Sequence, residues 1–201
     1  MCVCVSEQVA PLQLDGINVA IFGVTSTGKS TIINKLLGKD VAAVGIGETT
    51  KDIQHYDGAG YRLVDIPGRN DDIQYFTADY ISFWKGLTIR LVAITHTVKE
   101  MTKVFKLLDA INLNYDIVVN KFDQVAPDEV DAFKDQLRQE TIDAGLQGVN
   151  RMFFVSARNP RQFSDWLALC DYITGSKSAQ PPQRNVFSAL NMGMLNPQTQ
   201  K

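Results

Sequence analysis

Apolar residues fall in short blocks separated by polar and glycine-rich stretches, and the blocks alternate between a strand-like and a helix-like period. Ile17 to Val24 (INVAIFGV) is a continuous apolar run rich in branched residues, which predicts a strand buried on both faces. Residues 29–37 then put Ile32, Ile33, Leu36 and Leu37 on one side of a helix that Gly38 stops. Lys51 to Asp57 reads as an edge strand with a turn at Asp57-Gly58, and Tyr61 to Ile66 as a buried strand ended by Pro67-Gly68. Ile73, Phe76, Tyr80, Phe83 and Trp84 recur at helical spacing, and Thr88 to Thr95 is strand-like. Met101, Val104, Phe105, Leu108 and Ile111 mark an amphipathic helix. Asp116 to Asn120 predicts a short buried strand, and Pro127 the first residue of a helix that buries Val130, Phe133 and Leu137. Arg151 to Ser156 is the last strand. A final helix carries Phe163, Trp166, Leu167, Cys170 and Ile173 and ends at Gly175.

Strands alternating with helices build βαβ units. The expected fold is therefore α/β: three layers, with a mostly parallel six-stranded sheet, one antiparallel edge strand and about five helices. Residues 1–16 read as a loose lead-in, 17–175 as one domain, and 176–201 as a flexible tail with a short helix near Val186–Leu190. In such sheets ligands bind beyond the carboxyl ends of the strands, so the residues following each strand are the ones to inspect for chemistry.

The first of these is a glycine-rich loop. Gly23-Val24-Thr25-Ser26-Thr27-Gly28-Lys29-Ser30 follows the first strand and opens a helix, which is the GxxxxGKS (P-loop) pattern in its required context. Gly23 and Gly28 let the backbone wrap without side-chain clashes, so that N–H groups from Thr25 to Thr31 can face phosphate oxygens at the positive end of the helix. The Lys29 ammonium is expected on the β and γ phosphates and the Ser30 hydroxyl on Mg²⁺. Asp65, at the end of the strand before Ile66-Pro67-Gly68, is expected to hold the same ion through water, and the Gly68 N–H to sense the γ-phosphate. Between them, Gly45-Ile46-Gly47-Glu48-Thr49-Thr50 supplies a switch threonine. Thr50 is taken as the one that closes on Mg²⁺, with Thr49 the alternative.

A second constellation follows the strand DIVV: Asn120-Lys121-Phe122-Asp123. The Asp123 carboxylate can accept from N1 and the exocyclic N2 of guanine, whereas adenine presents no such donor pair. Asn120 is expected to tie this loop to the glycine-rich loop, and the Lys121 stem to lie over the base. The loop Ser156-Ala157-Arg158 should present the Ala157 N–H to guanine O6. GTP or GDP with Mg²⁺ is thus the expected ligand.

Five elements in order, GVTSTGKS, Thr49/Thr50, DIPG, NKFD and SAR, resemble the GTP-binding domain of the Ras-like, translation-factor-related P-loop GTPases over about residues 17–175. Within that class ETTKD and DIPG resemble the TrmE–Era-type bacterial GTPases. The stretch from Val118 through Phe153 to Pro160 and Phe163–Leu167 resembles the interferon-inducible, immunity-related GTPases, taken as the nearer likeness. The resemblance implies guanine-nucleotide binding, slow GTP hydrolysis and activity gained through self-association or membrane recruitment; a nucleotide-dependent homodimer or an effector protein is the expected partner. Immunity-related GTPases usually carry a helical domain for which 201 residues leave no room.

Catalysis rests on Lys29, Thr50 and Gly68, by positioning and charge stabilisation. Where Ras-like enzymes often place a glutamine after D-x-x-G, this chain has Arg69. It cannot orient water as a neutral amide. It reads as an exposed switch arginine, the alternative being a stabiliser of transition-state charge. His55 and His96 read as ordinary surface or core histidines. Slow intrinsic hydrolysis is expected, and a nucleotide-gated binding module with negligible turnover is the competing reading.

Composition narrows the partners. Twenty basic and 22 acidic residues leave a net charge of −2, which disfavours a broad nucleic-acid footprint. No apolar run approaches the roughly 18 residues of a membrane span, and the first residues lack a signal peptide's basic and apolar regions. Position 2 is Cys rather than the glycine of N-myristoylation, and PQTQK offers no prenylation cysteine. Cys2, Cys4 and Cys170 form no metal spacing or disulfide framework. Cys2 and Cys4 read as reduced residues on a frayed terminus, with reversible acylation as the alternative. A cytoplasmic protein is expected, with membrane association at most peripheral.

Overall fold

The computed structural model describes residues 9–42, 53–66 and 77–175. Six strands, β1 (Ile17–Phe22), β2 (Gln54–Asp57), β3 (Tyr61–Asp65), β4 (Ile89–Ile94), β5 (Tyr115–Val119) and β6 (Val149–Phe154), form one sheet in the order β2-β3-β1-β4-β5-β6. Only the β2–β3 pair is antiparallel. Among the described residues five α-helices cover it: α1 (Lys29–Leu37), α2 (Ala78–Gly86), α3 (Thr102–Ala110), α4 (Val130–Asp143) and α5 (Ser164–Thr174). This is the expected α/β sheet of six strands with one antiparallel edge.

The continuous apolarity of β1 has a direct cause. Val19 and Ile21 point to one face, where Ile32 and Ile33 of α1 and Trp166, Leu169 and Ile173 of α5 complete a core. Ala20 and Phe22 point to the other, where α2, α3 and α4 contribute Trp84, Phe105 and Leu137. Alternate residues of a central strand must both be apolar when both faces are covered. On the second face Phe22 stacks on Trp84 at 4.0 Å between ring centroids.

Three boundaries differ from expectation. The helix after Pro127 starts at Val130, because Ala126 to Glu129 first close a turn, the Glu129 N–H donating to the Ala126 carbonyl at 2.9 Å. Met101 ends a short 3₁₀ turn, Val98–Met101, before α3 begins. The last strand runs Val149–Phe154, so Ser156 stands clear of the ladder in the following loop. Ile73, Phe76, the tail 176–201 with its helix near residues 186–190, and Cys2 and Cys4 lie outside the described residues.

The lead-in is docked rather than loose from residue 9 onward. The Leu12 N–H donates to the Ser82 carbonyl at 2.8 Å, the Ser82 hydroxyl to the Ala10 carbonyl at 2.8 Å and Lys85 Nζ to the Val9 carbonyl at 2.9 Å. A Cβ on Gly86 would collide with the Leu12 carbonyl, so the strap needs glycine at the end of α2. These bonds go mostly to backbone, which no hydrophobic pattern registers.

Charge is buried at the far end of the sheet, near the starts of β4 and β5. Arg90 donates to the carbonyls of Trp84 and Leu87, both at 2.8 Å. Asp116 is 1% exposed and faces Tyr172 of α5 and the Arg151 side chain, which lies 4.3 Å over the Tyr172 ring. Burial raises its carboxyl to about 6, offset in part by the Tyr172 hydroxyl and the Arg151 and Arg90 charges. An acid whose folded pKa exceeds its unfolded 3.8 holds more protons in the fold between those values. Its ionisation therefore costs stability fully above pH 6, and the cost fades as pH falls toward 4. Asp116→Asn should stabilise the protein by roughly 1–3 kcal/mol at pH 7 and by much less at pH 4, as read from urea unfolding across that range.

Candidate nucleotide site

Among the described residues, those singled out at the ends of β1, β3, β5 and β6 lie along the same edge of the sheet. The loop after β1 is shaped by backbone that side chains resist. Ser26 and Gly28 both take left-handed conformations, φ 69° and 88°. A Cβ on Gly28 would collide with Asn120 Nδ2, and one on Gly23 would stand 2.6 Å from the Ala93 carbonyl oxygen. Thr27, 1% exposed, closes the turn from inside, its hydroxyl donating to the Val24 carbonyl at 2.9 Å.

α1 begins without a cap. Gly28 offers no side chain, the first turn carries no acidic residue, and the first helical bond runs from the Ile32 N–H to the Gly28 carbonyl at 2.9 Å. The N–H groups of Lys29, Ser30 and Thr31 therefore have no carbonyl of their own helix to bond. A helix start that is uncapped, glycine-led and followed by lysine is poorly stabilised alone and well suited to an anion. Lys29 Nζ donates to the Gly23 carbonyl at 2.7 Å and more weakly to that of Val24 at 3.4 Å. Burial lowers its pKa, partly offset by the nearby Asp65 carboxylate. Asp65, 1% exposed, ends β3 beside Ile21 of β1. Thr49, Thr50, Gly68 and Arg69 lie outside the described residues.

The loop after β5 is joined to this one by a single side chain. Asn120, 3% exposed, donates through Nδ2 to the Thr27 carbonyl at 2.8 Å and accepts through Oδ1 from the Ala157 N–H at 3.0 Å. The expected tie to the glycine-rich loop is present, and it extends to the loop after β6. The second bond alters one expectation: the Ala157 N–H, assigned to a base oxygen, is engaged by Asn120, so a base would have to share that donor. Lys121 is left-handed, φ 60°, which turns the chain sharply before Phe122. The Phe122 N–H donates to the Val155 carbonyl at 3.0 Å, and its ring packs on Phe154, Phe163 and Phe133 at 5.1, 5.5 and 6.0 Å. Phe122 is thus the anchor that lets the following Asp123 stand exposed at the surface. Asp123 Oδ2 accepts from Asn159 Nδ2 at 3.2 Å, and the Asn159 N–H donates to Ser156 Oγ at 3.0 Å. Neither Phe122 nor Asn159 carries a motif signal. The only hint was the turn-forming Asn159-Pro160 pair. His55 and His96 are exposed.

Residues 18–140 match the model of a protein family described as "50S ribosome-binding GTPase". The chain belongs to that family of P-loop GTPases. Among curated relatives it is 32% identical over 145 residues to a probable GTP-binding protein EngB of Rhodopseudomonas palustris, covering 62% of this chain and 64% of that protein. It is 29% identical over 159 residues to the GTPase Der of Clostridium botulinum, covering 71% of this chain and 36% of Der. The chain thus spans less than two thirds of either relative. Among solved structures, Era of Aquifex aeolicus, a variant bound to GDP and AlF4⁻, superposes with a TM-score of 0.59 at 20% identity over 83% of this chain and 58% of its own. A probable EngB gives 0.51 at 17% identity, over 76% of this chain and 97% of its own. At these identities the likeness is one of fold. The relatives fall on the Era-type side of the sequence resemblance, and the nearer likeness to immunity-related GTPases finds no support among them. No helix among the described residues is long and apolar enough to cross a membrane.

Replacing Asn120 by Ala removes both loop-joining bonds and leaves the Thr27 carbonyl and Ala157 N–H without their partner. Asn120→Ala should cost ~2–4 kcal/mol of stability, measured by denaturant unfolding of the ligand-free protein.

Proposed function

We propose that the protein binds GTP and GDP and hydrolyses GTP slowly to GDP and phosphate, stimulated by self-association or by a partner. The observation that carries this is the Asn120 side chain, bonded at once to the glycine-rich loop and to the Ala157 loop. It sets a phosphate-suited helix start and an exposed carboxylate at a fixed separation. Phosphates are assigned to Gly23 and Thr25 to Thr31, and Lys29 to the β and γ phosphates. The base is assigned to Asn120, Lys121, Asp123, Ser156 and Ala157.

Mg²⁺ is part of the proposal. The Ser30 hydroxyl and Asp65 carboxylate are hard oxygen donors, and among the described residues no group of three or more His, Cys, Asp or Glu side chains forms a protein cage. That suits an ion held mainly by water and phosphate oxygens. Bound there it would neutralise charge on the transferred phosphoryl group. Lys29, its pKa lowered by burial, regains its full charge preference beside an anion. Thr50 and Gly68 are assigned to closure over the γ-phosphate, with Thr49 as the alternative to Thr50. Arg69 in the water-orienting position favours a second reading, a nucleotide-gated interaction module with negligible turnover. The effector suggested by the family description is the large ribosomal subunit. A cytoplasmic location is assigned with it.

Fluorescence titration with GTP, GDP and ATP analogues, with and without Mg²⁺, tests the binding. The expected result is a preference for both guanine nucleotides over ATP of about a hundredfold or more, with Mg²⁺ tightening GTP. A folded sample that ignores GTP and GDP at millimolar concentration would end the proposal. Phosphate release at several protein concentrations then separates the two readings. Specific activity rising with concentration supports self-stimulated hydrolysis, and release no faster than in buffer supports the module.

Asp123→Asn exchanges an acceptor for a mixed donor and acceptor. It should shift preference from guanine toward xanthine nucleotides, and a competition assay with GDP and XDP reads this directly. Unchanged guanine preference would contradict the base assignment.

A further inference from the structure

Asn159 has no part in the glycine-rich, NKFD or SAR motifs, yet among the described residues its side chain reaches Asp123. The two ends of this contact differ in how firmly they are held. Asn159 is fixed on both sides: its N–H donates to the buried Ser156 hydroxyl at 3.0 Å, and its carbonyl accepts from the Gln162 N–H at 3.1 Å. The turn that follows is pinned by Phe163 against Phe122 at 5.5 Å. Asp123, by contrast, is exposed on a three-residue turn, Phe122–Gln124, with its carboxylate at the surface. An exposed aspartate samples several rotamers, and ordering it on binding weakens the ligand it selects.

We infer that Asn159 is a positioning residue for base selection. Its amide donates to Asp123 Oδ2 at 3.2 Å and holds the carboxylate in one orientation before the base arrives. A carboxylate has about four lone-pair sites, so one donor from Asn159 leaves room for two from a guanine edge. The donor is also neutral. A lysine or arginine in its place would pair with the carboxylate and compete with the base, whereas an amide steadies Asp123 and leaves its charge intact. The inference rests on the proposed guanine reading and extends it to a residue outside the motifs.

The test compares wild type, Asn159→Ala and Asn159→Gln for GDP, inosine diphosphate and ADP by calorimetry. Inosine lacks the exocyclic N2 amine and so makes one bond fewer to Asp123. Asn159→Ala should weaken GDP about five- to tenfold and inosine diphosphate about twofold or less, because the second base bond is the one most dependent on carboxylate orientation. Asn159→Gln, which keeps an amide donor on a longer arm, should recover part of the GDP loss. Equal losses for GDP and inosine diphosphate would mean that Asn159 only supports the loop, and would overturn the inference. So would an unchanged GDP affinity. A gain in GDP affinity would show the amide competing with the base, and overturns it too. Wild type that prefers GDP to ADP keeps the guanine reading intact through any of these results. Wild type with no such preference overturns that reading, and this inference with it.

Discussion

The arrangement of the site depends on one buried amide. Asn120 sits at the end of β5 with its own N–H bonded to the Ile94 carbonyl at 2.9 Å, so its backbone is fixed by the neighbouring strand. From there its side chain donates to the loop after β1 and accepts from the loop after β6. Three loops that the chain separates widely are thereby held in one geometry. An amide suits this task because it carries a donor and an acceptor on one rigid group. A carboxylate would leave the Thr27 carbonyl facing another acceptor, and an aliphatic side chain would leave both loops unpaired in a buried place.

This constraint explains the glycine beside it. Gly28 has no room for a Cβ because the Asn120 amide occupies that space, and its left-handed φ of 88° would strain any other residue. The need for glycine at this position is therefore imposed by the protein's own packing. Gly23 faces the same limit from the Ala93 carbonyl of β4. Packing within the loop and suitability for an anion are satisfied by one backbone path, which also leaves the first turn of α1 uncapped.

The two ends of the sheet are built for different tasks. At the carboxyl ends of the strands, Asp65, Asn120 and Ser156 are buried beside the exposed Asp123, and the Asn120 amide ties neighbouring loops together. At the opposite end the buried Arg90 and Asp116 lie with the half-buried Arg151 and Tyr172, and Asp116 ionises there at a cost. The docked lead-in adds a further tie, from residues 9 to 12 onto α2.

The strand and helix pattern was legible because its signals are local. A central strand covered on both faces must be apolar throughout, and a helix covered on one face must repeat its apolar residues, so β1, β5 and α1 could be read from a few residues each. The glycine-rich loop and the Asn120–Asp123 loop could be singled out for a similar reason, since each gathers its residues into four to eight consecutive positions. What the tertiary structure decided is what joins them. The start of α4 moved because a turn at Ala126 to Glu129 satisfied its backbone first. The strap needed the accident of Gly86 opposite Leu12. The Ala157 N–H went to Asn120 in place of an open position for a base, and Asn159 reached Asp123 across two loops. These contacts are single hydrogen bonds between residues far apart in the chain. They leave no periodicity behind, and only the folded backbone brings their partners within reach.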